Sequence, residues 1–391
     1  MSIFRRIFDG IHASREGSSA IKMFIKIREG FILNKVMSLH DAVAKYVENG
    51  DTLAIGGFTT NRKPYATVSE ILRQGQKDFI VYAGPGGGEV DMLIGEGRVA
   101  AYINCYTANS GYTNVSRRFR AAIEQGKLTY EDYSQDVLML MLHASSLGLP
   151  FLPVRLMQGS GLMKFWGISE EKRKTMPKIE NLKCVEIENP MVPGQKVVAV
   201  PVPKIDTAII HVQQASPDGT CIICGDEFHD IDIAIAARKT IVTDDFIRRD
   251  PTKTRIFGEC VQAVVKAPYG AWPAQCYDYY DDDDAGLKEY DKASKYQDAE
   301  DAVKQLEKAA AKAAKALEKA PEDEKLKLAA ENAQKAFELA KSGEKVPETF
   351  KDFVEKWVYS CEDQSALLDK LGGSRLMRLK NEPHLGYSTT H

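Results

Sequence analysis

From Ser38 onward the apolar positions alternate between two periods. Leu39, Ala42, Val43 and Tyr46 fall at helical spacing behind Ser38, whose hydroxyl suits an N-cap, and Asn49-Gly50 supplies a stop. Thr52-Leu53-Ala54-Ile55 follows as a short apolar strand ending in Gly56-Gly57. The unit then repeats, with a helix over 67–73, a strand over 79–83 and the glycine run Gly84-Pro85-Gly86-Gly87-Gly88. Further strands are predicted at 102–105, 152–156, 196–200, 207–212, 240–243 and 261–265, and helices at 115–124, 136–147 and 231–237. Repetition of helix, strand and glycine turn predicts an α/β fold: an open, mostly parallel sheet flanked by helices, with ligand sites at the strand C-termini.

The pattern changes after Ala285. Residues 299–345 are dominated by Ala, Lys, Glu and Leu, and Val303, Leu306, Ala310, Ala313 and Leu317 alternate steps of three and four. Pro321 breaks this helix, and a second carries Leu326, Ala329, Ala333, Phe337 and Ala340 up to Gly343. An inserted α-helical hairpin over 297–346 is expected, either a tolerated surface insertion, which is favoured, or a partner-binding arm. Phe350, Phe353, Val354 and Trp357, then 367–371, return to globular text, so 347–391 should supply C-terminal helices that complete the α/β domain begun at 36–296. Residues 1–35 form a basic extension, with Phe4, Ile7, Phe8 and Ile11 and later Met23, Phe24, Ile27 and Phe31 at helical spacing. It reads as a membrane-surface or targeting segment or, by preference, as a loosely attached extension before a domain starting near Met37.

Composition narrows the function classes. The 391 residues carry 52 Lys and Arg against 55 Asp and Glu, so no nucleic-acid footprint shows. Seven cysteines without regular spacing fit a reducing cytoplasm better than a disulfide framework. No uncharged apolar run is long enough to span a membrane.

Candidate chemistry gathers at four glycine turns: Gly56 to Thr60, Gly84 to Gly88, Ser110-Gly111, and Gln158 to Gly161. Backbone approaches a ligand closely at such turns, and free amides there hold phosphate or an oxyanion. None has the lysine and hydroxyl of a P-loop, and Gly84-Pro85-Gly86 lacks the dinucleotide fingerprint. Cys221-Ile222-Ile223-Cys224 has knuckle spacing, but residues three apart on a strand face opposite ways, so no metal site is expected. His229 is expected to be a surface or loop histidine. Glu48-Asn49-Gly50 ends a helix and reads as a solvated stop rather than a catalytic acid.

The stretches Gly56-Gly57-Phe58-Thr59-Thr60-Asn61-Arg62-Lys63-Pro64-Tyr65 and Ile103-Asn104-Cys105-Tyr106-Thr107-Ala108-Asn109-Ser110-Gly111 resemble the A subunits of the glutaconate CoA-transferase family. So do 149–154, Met157 to Gly161, Gln213 to Gly219, and Arg248 to Lys253; the likeness spans about 35–290 and 350–387. The resemblance implies a family I CoA-transferase fold and transfer of CoA between acyl-CoA and a dicarboxylate. It implies a ping-pong route through a glutamyl-CoA thioester, with the glutamate on a B subunit, so that none of the catalytic residues lies in this chain. CoA thioesters would be substrates, with no permanently bound cofactor, and the assembly would be A2B2 or larger. Gly57, Phe58, Thr59, Asn109, Ser110, Gly111, Gln158 and Gly159 would line the site. Arg62 and Lys63 would hold a substrate carboxylate or CoA phosphate, unless they are solvated surface charges.

The extension, the hairpin and Pro85 depart from the family pattern. A decarboxylase, or a hydrolase breaking a carbon–carbon bond in an acyl-CoA, is the alternative within the superfamily; the hydrolase relatives would carry a glutamate near the stretch matching 108–111, where this chain has none. A non-catalytic CoA-binding or scaffold protein is the third reading.

Overall fold

Short strands that are apolar on every side must be covered on both faces, and that condition organises this chain. The computed structural model describes residues 34–247 and 254–381; the basic segment before residue 34 and the Arg248 to Lys253 motif lie outside them. The strands are β1 (Thr52–Ile55), β2 (Phe79–Tyr82), β3 (Val99–Asn104), β4 (Thr129–Asp132), β5 (Phe151–Val154), β6 (Val185–Glu188), β7 (Lys196–Pro201), β8 (Thr207–Ala215), β9 (Cys221–Ile222), β10 (Lys239–Ile247) and β11 (Ala263–Lys266). Eight of them form one sheet in the order β11-β10-β8-β1-β2-β3-β4, with β9 added antiparallel to β8 and every other pairing parallel. β1 and β2 are buried throughout. Leu53 and Ile55 enter one core and Ala54 the other, as the two-residue period of a strand requires.

The helices divide between those faces. They are α1 (Leu39–Tyr46), α2 (Tyr65–Gln74), α3 (Gly88–Gly95), α4 (Arg117–Glu124), α5 (Gln135–Ser146), α6 (Gly161–Lys164), α7 (Glu170–Lys174), α8 (Asp230–Ala236), α9 (Asp284–Ala293), α10 (Ala299–Lys319), α11 (Glu324–Ser342), α12 (Phe350–Val354), α13 (Gln364–Leu371) and α14 (Gly373–Leu379). Val68, Ile71 and Leu72 of α2, Val90 and Leu93 of α3, and Phe350, Phe353 and Trp357 fill one core. Val137, Leu138, Met141 and Leu142 of α5 and Ile233 of α8 fill the other. Ser38 caps α1 as expected, its side chain accepting from the Asp41 amide at 3.0 Å. Among the described residues no helix is long and apolar enough to cross a membrane.

The α10–α11 hairpin leaves and re-enters at one point, where the Phe350 amide donates to the Tyr296 carbonyl at 2.9 Å. Asp298 and Asp323 cap its two helices. Of α10 and α11, only Ala302, Ala310 and Ala340 are buried.

The strands expected near 152–156 and 196–200 form, but outside the parallel sheet: β5, β7 and β6 make a separate antiparallel sheet. Period-two patterning identifies a strand but carries no information on its non-local neighbour. The sequence pattern does not predict strands β4 and β6 or helices α3, α6, α7, α9 and α14, whereas β9 falls on the strand read at Cys221 to Cys224. β4 ends in Glu131-Asp132, an acidic pair that hides a strand whose Glu131 is buried against Arg173, 42 residues away.

Candidate functional site

Three of the four glycine turns follow adjacent strands of the parallel sheet and meet at its carboxyl edge. The turn after β1 is closed by paired bonds between Phe58 and Asn61, at 2.9 and 2.7 Å. Gly57 has φ +83°, and a Cβ there would sit 2.6 Å from the Arg62 carbonyl oxygen, so only glycine fits. Thr59 (φ 50°) and Arg62 (φ 56°) also adopt the left-handed region, a conformation that costs on the order of 1–3 kcal/mol at a non-glycine residue.

Four buried charges hold this turn in place. Asp230, at the start of α8, accepts the Gly57 amide at 2.8 Å and pairs with Arg62, both side chains being fully buried. Arg62 also donates to the carbonyl oxygen of Asp226. The Lys63 ammonium donates to the Gly57 and Pro85 carbonyls at 3.3 and 2.6 Å and pairs with Glu89 at 3.2 Å, so it ties the β1 turn to the β2 turn. Glu89 in turn accepts the Gly87 amide at 3.0 Å. Arg62 and Lys63, expected to meet a carboxylate or phosphate or to be solvated, are therefore buried supports of the turns. Their partner acids lie far along the chain, which is why local sequence suggested free cations.

The third turn is tied to the second by backbone bonds from the Gly86 amide to Tyr106 and from the Ala108 amide to Gly86, both 2.9 Å. Asn109 is buried, and its Oδ1 accepts the Gly88 amide at 2.9 Å. The amides of Gly87, which precedes α3, and of Gly88, its first residue, are thus occupied by Glu89 and Asn109. Phe58, Thr59 and Ser110 are half-buried, Gly111 is exposed, and these groups form the accessible surface over the buried frame. The Phe58 ring packs on Phe228 with centroids 4.4 Å apart. Gln158 and Gly159 follow β5 of the second sheet and are exposed, with Gln158 donating to the Lys196 carbonyl of β7 at 2.7 Å.

Two titratable groups beside the turns, Cys105 and Asp282, carry no local signal that singles them out in the sequence. Cys105 follows β3 and is half-buried; burial pushes its thiol up to about 11, against the lowering influence of Lys63. Asp282 accepts from Thr60 at 3.1 Å and from the Gln275 amide at 2.9 Å, and burial raises its carboxyl to about 6. His229 is not at the surface: it is buried at the start of α8, with Nε2 3.0 Å from the Ile55 carbonyl, and burial lowers its pKa, keeping it neutral. Glu48 projects into solvent at the amino end of β1, away from the turns, with Lys239 3.0 Å away. His211, Asp245 and Cys276 bring donor atoms within 4.8 Å of one another. The ring nitrogens of His211 are taken by Thr243 at 3.0 Å and Asp245 at 3.1 Å, a hydrogen-bonded core cluster.

Residues 36–267 match the family described as Coenzyme A transferase. The A subunit of glutaconate CoA-transferase from Acidaminococcus fermentans is 54% identical over 361 residues, covering 91% of this chain and 97% of that protein. The A subunit of 3-oxoadipate CoA-transferase from Pseudomonas knackmussii is 30% identical, covering 66% of this chain and 87% of its own length. The crystal structure of the Acidaminococcus fermentans glutaconate coenzyme A-transferase aligns with a TM-score of 0.76 at 52% identity, covering 90% of this chain and 98% of that one.

Proposed function

Because the chain belongs to the coenzyme A transferase family, we propose that it is the A subunit of a heteromeric enzyme moving CoA between acetyl-CoA or a similar acyl-CoA and a dicarboxylate such as glutaconate. The observation that carries this reading is the 54% identity to the A subunit of a glutaconate CoA-transferase, sustained over 91% of the chain. The two most informative relatives are named for dicarboxylates, glutaconate and 3-oxoadipate, which supports a dicarboxylate here too.

In this reading a B subunit presents a glutamate carboxylate, which attacks the acyl carbonyl, releasing CoA thiolate and forming a mixed anhydride. The thiolate then attacks the glutamyl carbonyl, giving an enzyme thioester and freeing the first acid. The acceptor carboxylate reverses both steps, so atoms balance and kinetics are ping-pong. This chain would contribute one wall: Gly57, Phe58, Thr59, Asn109, Ser110 and Gly111. The burial of Glu89 and Asp230 in ion pairs favours a nucleophile that arrives from another chain. An A2B2 or larger assembly in the cytoplasm belongs to the same reading.

The test is CoA exchange between acetate and glutaconyl-CoA. The chain alone should not turn over, and the complex with its second subunit should. Borohydride should inactivate the complex only after acyl-CoA is added, with the reduced residue on the other chain. Turnover by this chain alone, or a modified residue within it, would sink the proposal; carbon dioxide release without transfer would point to a decarboxylase.

A further inference from the structure

The loop between β9 and α8 is tied to the turn that follows β1 at several points. Arg62 donates to the Asp226 carbonyl and pairs with Asp230, and His229 Nε2 lies 3.0 Å from the Ile55 carbonyl. Within the loop, the Phe228 amide donates to Asp226 Oδ1 and the Asp230 amide to the Glu227 carbonyl, both at 3.0 Å. These bonds hold Phe228 at φ 46°, in the left-handed region that a bulky side chain rarely occupies. Strained backbone of this kind persists where its surroundings over-determine it, and it clusters at functional sites. Here the strain aims one ring. Phe228 is half-buried and meets Phe58 with ring centroids 4.4 Å apart and planes tilted by 41°. It stands edge-on to the buried His229 ring at 5.0 Å. Phe58 is itself half-buried, next to Thr59 on the accessible surface of the turns. The two rings have no group that holds a carboxylate or a phosphate, so the part of a ligand that suits them is its hydrocarbon.

We infer that Phe228 is a positioning residue for acyl-chain selectivity: it fixes the Phe58 ring, and that ring packs along the carbon chain of the acyl group; the inference rests on the proposed function. Apolar contact scales with the area covered, so a five-carbon glutaconyl chain gains more from a fixed ring than a two-carbon acetyl group does. An unsupported Phe58 ring would have to be ordered by each substrate as it binds, and that cost falls on the substrate that uses the ring. Phe228 thereby adds to the wall a residue of a different loop, one that makes its contribution through Phe58.

Ping-pong kinetics give each acyl-CoA donor its own kcat/KM, so the test is the ratio of that constant for glutaconyl-CoA to that for acetyl-CoA, measured on the assembled enzyme. In Phe228→Ala the ratio should fall by about tenfold, near the upper worth of an aromatic pair. Phe228→Tyr keeps the ring and should hold the ratio within about twofold of the parent. If circular dichroism shows that the alanine variant does not fold, Phe228→Leu keeps the bulk without a stacking ring and should lower the ratio in the same direction. A merely structural role slows both donors alike and leaves the ratio unchanged, and that result overturns the inference. So does an equal loss for both donors that disappears with acyl-pantetheine thioesters, since the nucleotide and not the acyl chain would then lie against the rings. If the parent complex transfers CoA from neither donor, the proposed function fails and takes the inference with it; an active parent with an unchanged ratio in the variants sinks the inference alone.

Discussion

Replacing Arg62 with methionine should be among the most destabilising single changes in the molecule. The side chain is fully buried against Asp230, and methionine fills a similar volume without charge. The loss is therefore electrostatic: the Asp230 carboxylate keeps the Gly57 amide at 2.8 Å but loses its counter-ion inside the protein. Removing one member of a buried pair costs about 3–5 kcal/mol, chiefly because the remaining charge is uncompensated. Asp230→Asn in the same background removes that charge and retains a carbonyl oxygen for the Gly57 amide. The double variant should return to within about 1–2 kcal/mol of the starting protein, giving a large favourable coupling in a double-mutant cycle. Urea unfolding followed by tryptophan fluorescence measures all four proteins. A single Arg62→Met variant within about 1 kcal/mol of the parent, or a double variant no better than the single, would refute the claim that this pair is buried and mutually dependent.

Asp244 is fully buried, neither of its oxygens has a hydrogen-bond partner, and burial raises its carboxyl to about 8. The folded state thus keeps a proton that the unfolded chain releases near pH 4, so stability should fall as pH rises from about 4 to 8, by up to a few kcal/mol, and Asp244→Asn should flatten that slope; a melting temperature with the same pH dependence in both proteins would contradict this. With its thiol pushed up to about 11, Cys105 should react slowly with iodoacetamide at pH 7.5, roughly tenfold faster per pH unit up to pH 10, and more slowly still with acyl-CoA present in the complex. Deleting residues 299–345, whose ends lie together at Tyr296 and Phe350, should leave transfer within about twofold; loss of assembly would make the hairpin a partner-binding arm.

What the sequence made legible was what is local. Ser38 announced its helix, Gly57 its turn, and the apolar runs of β1, β2, β8 and β10 the parallel sheet. What stayed hidden depends on partners distant in the chain. Arg62 and Lys63 look like free cations until Asp230, 168 residues away, and Glu89 are brought beside them. His229 looks like loop text until the Ile55 carbonyl arrives, 174 residues away. Phe151 to Val154 and Lys196 to Pro201 read as strands, but side-chain alternation is blind to the direction of the neighbour, and their antiparallel pairing stayed hidden. Gln158 and Gly159 follow a strand of the second sheet, which the local pattern does not reveal.

The same blindness bears on what the buried charges accomplish. Buried ion pairs contribute little net stability compared with apolar packing, so stability alone does not account for two of them beneath one turn. Geometry does. Arg62 and Thr59 hold left-handed backbone that would relax unless fixed, and the bond that the Gly57 amide donates to Asp230 and the bond that Lys63 donates to the Gly57 carbonyl hold the peptides on either side of Gly57. A frame of this kind matters most if a reacting carboxylate must arrive from elsewhere and find Phe58, Thr59 and Ser110 already in place, since a displacement of about 1 Å can cost 100-fold in rate. Stability and activity should then separate in the Arg62→Met/Asp230→Asn protein. Its unfolding should be near that of the parent, while kcat of the assembled enzyme falls at least tenfold, because an amide and a thioether do not hold the turn as the ion pair does. Full activity in that double variant would show that the pair serves the core and not the site.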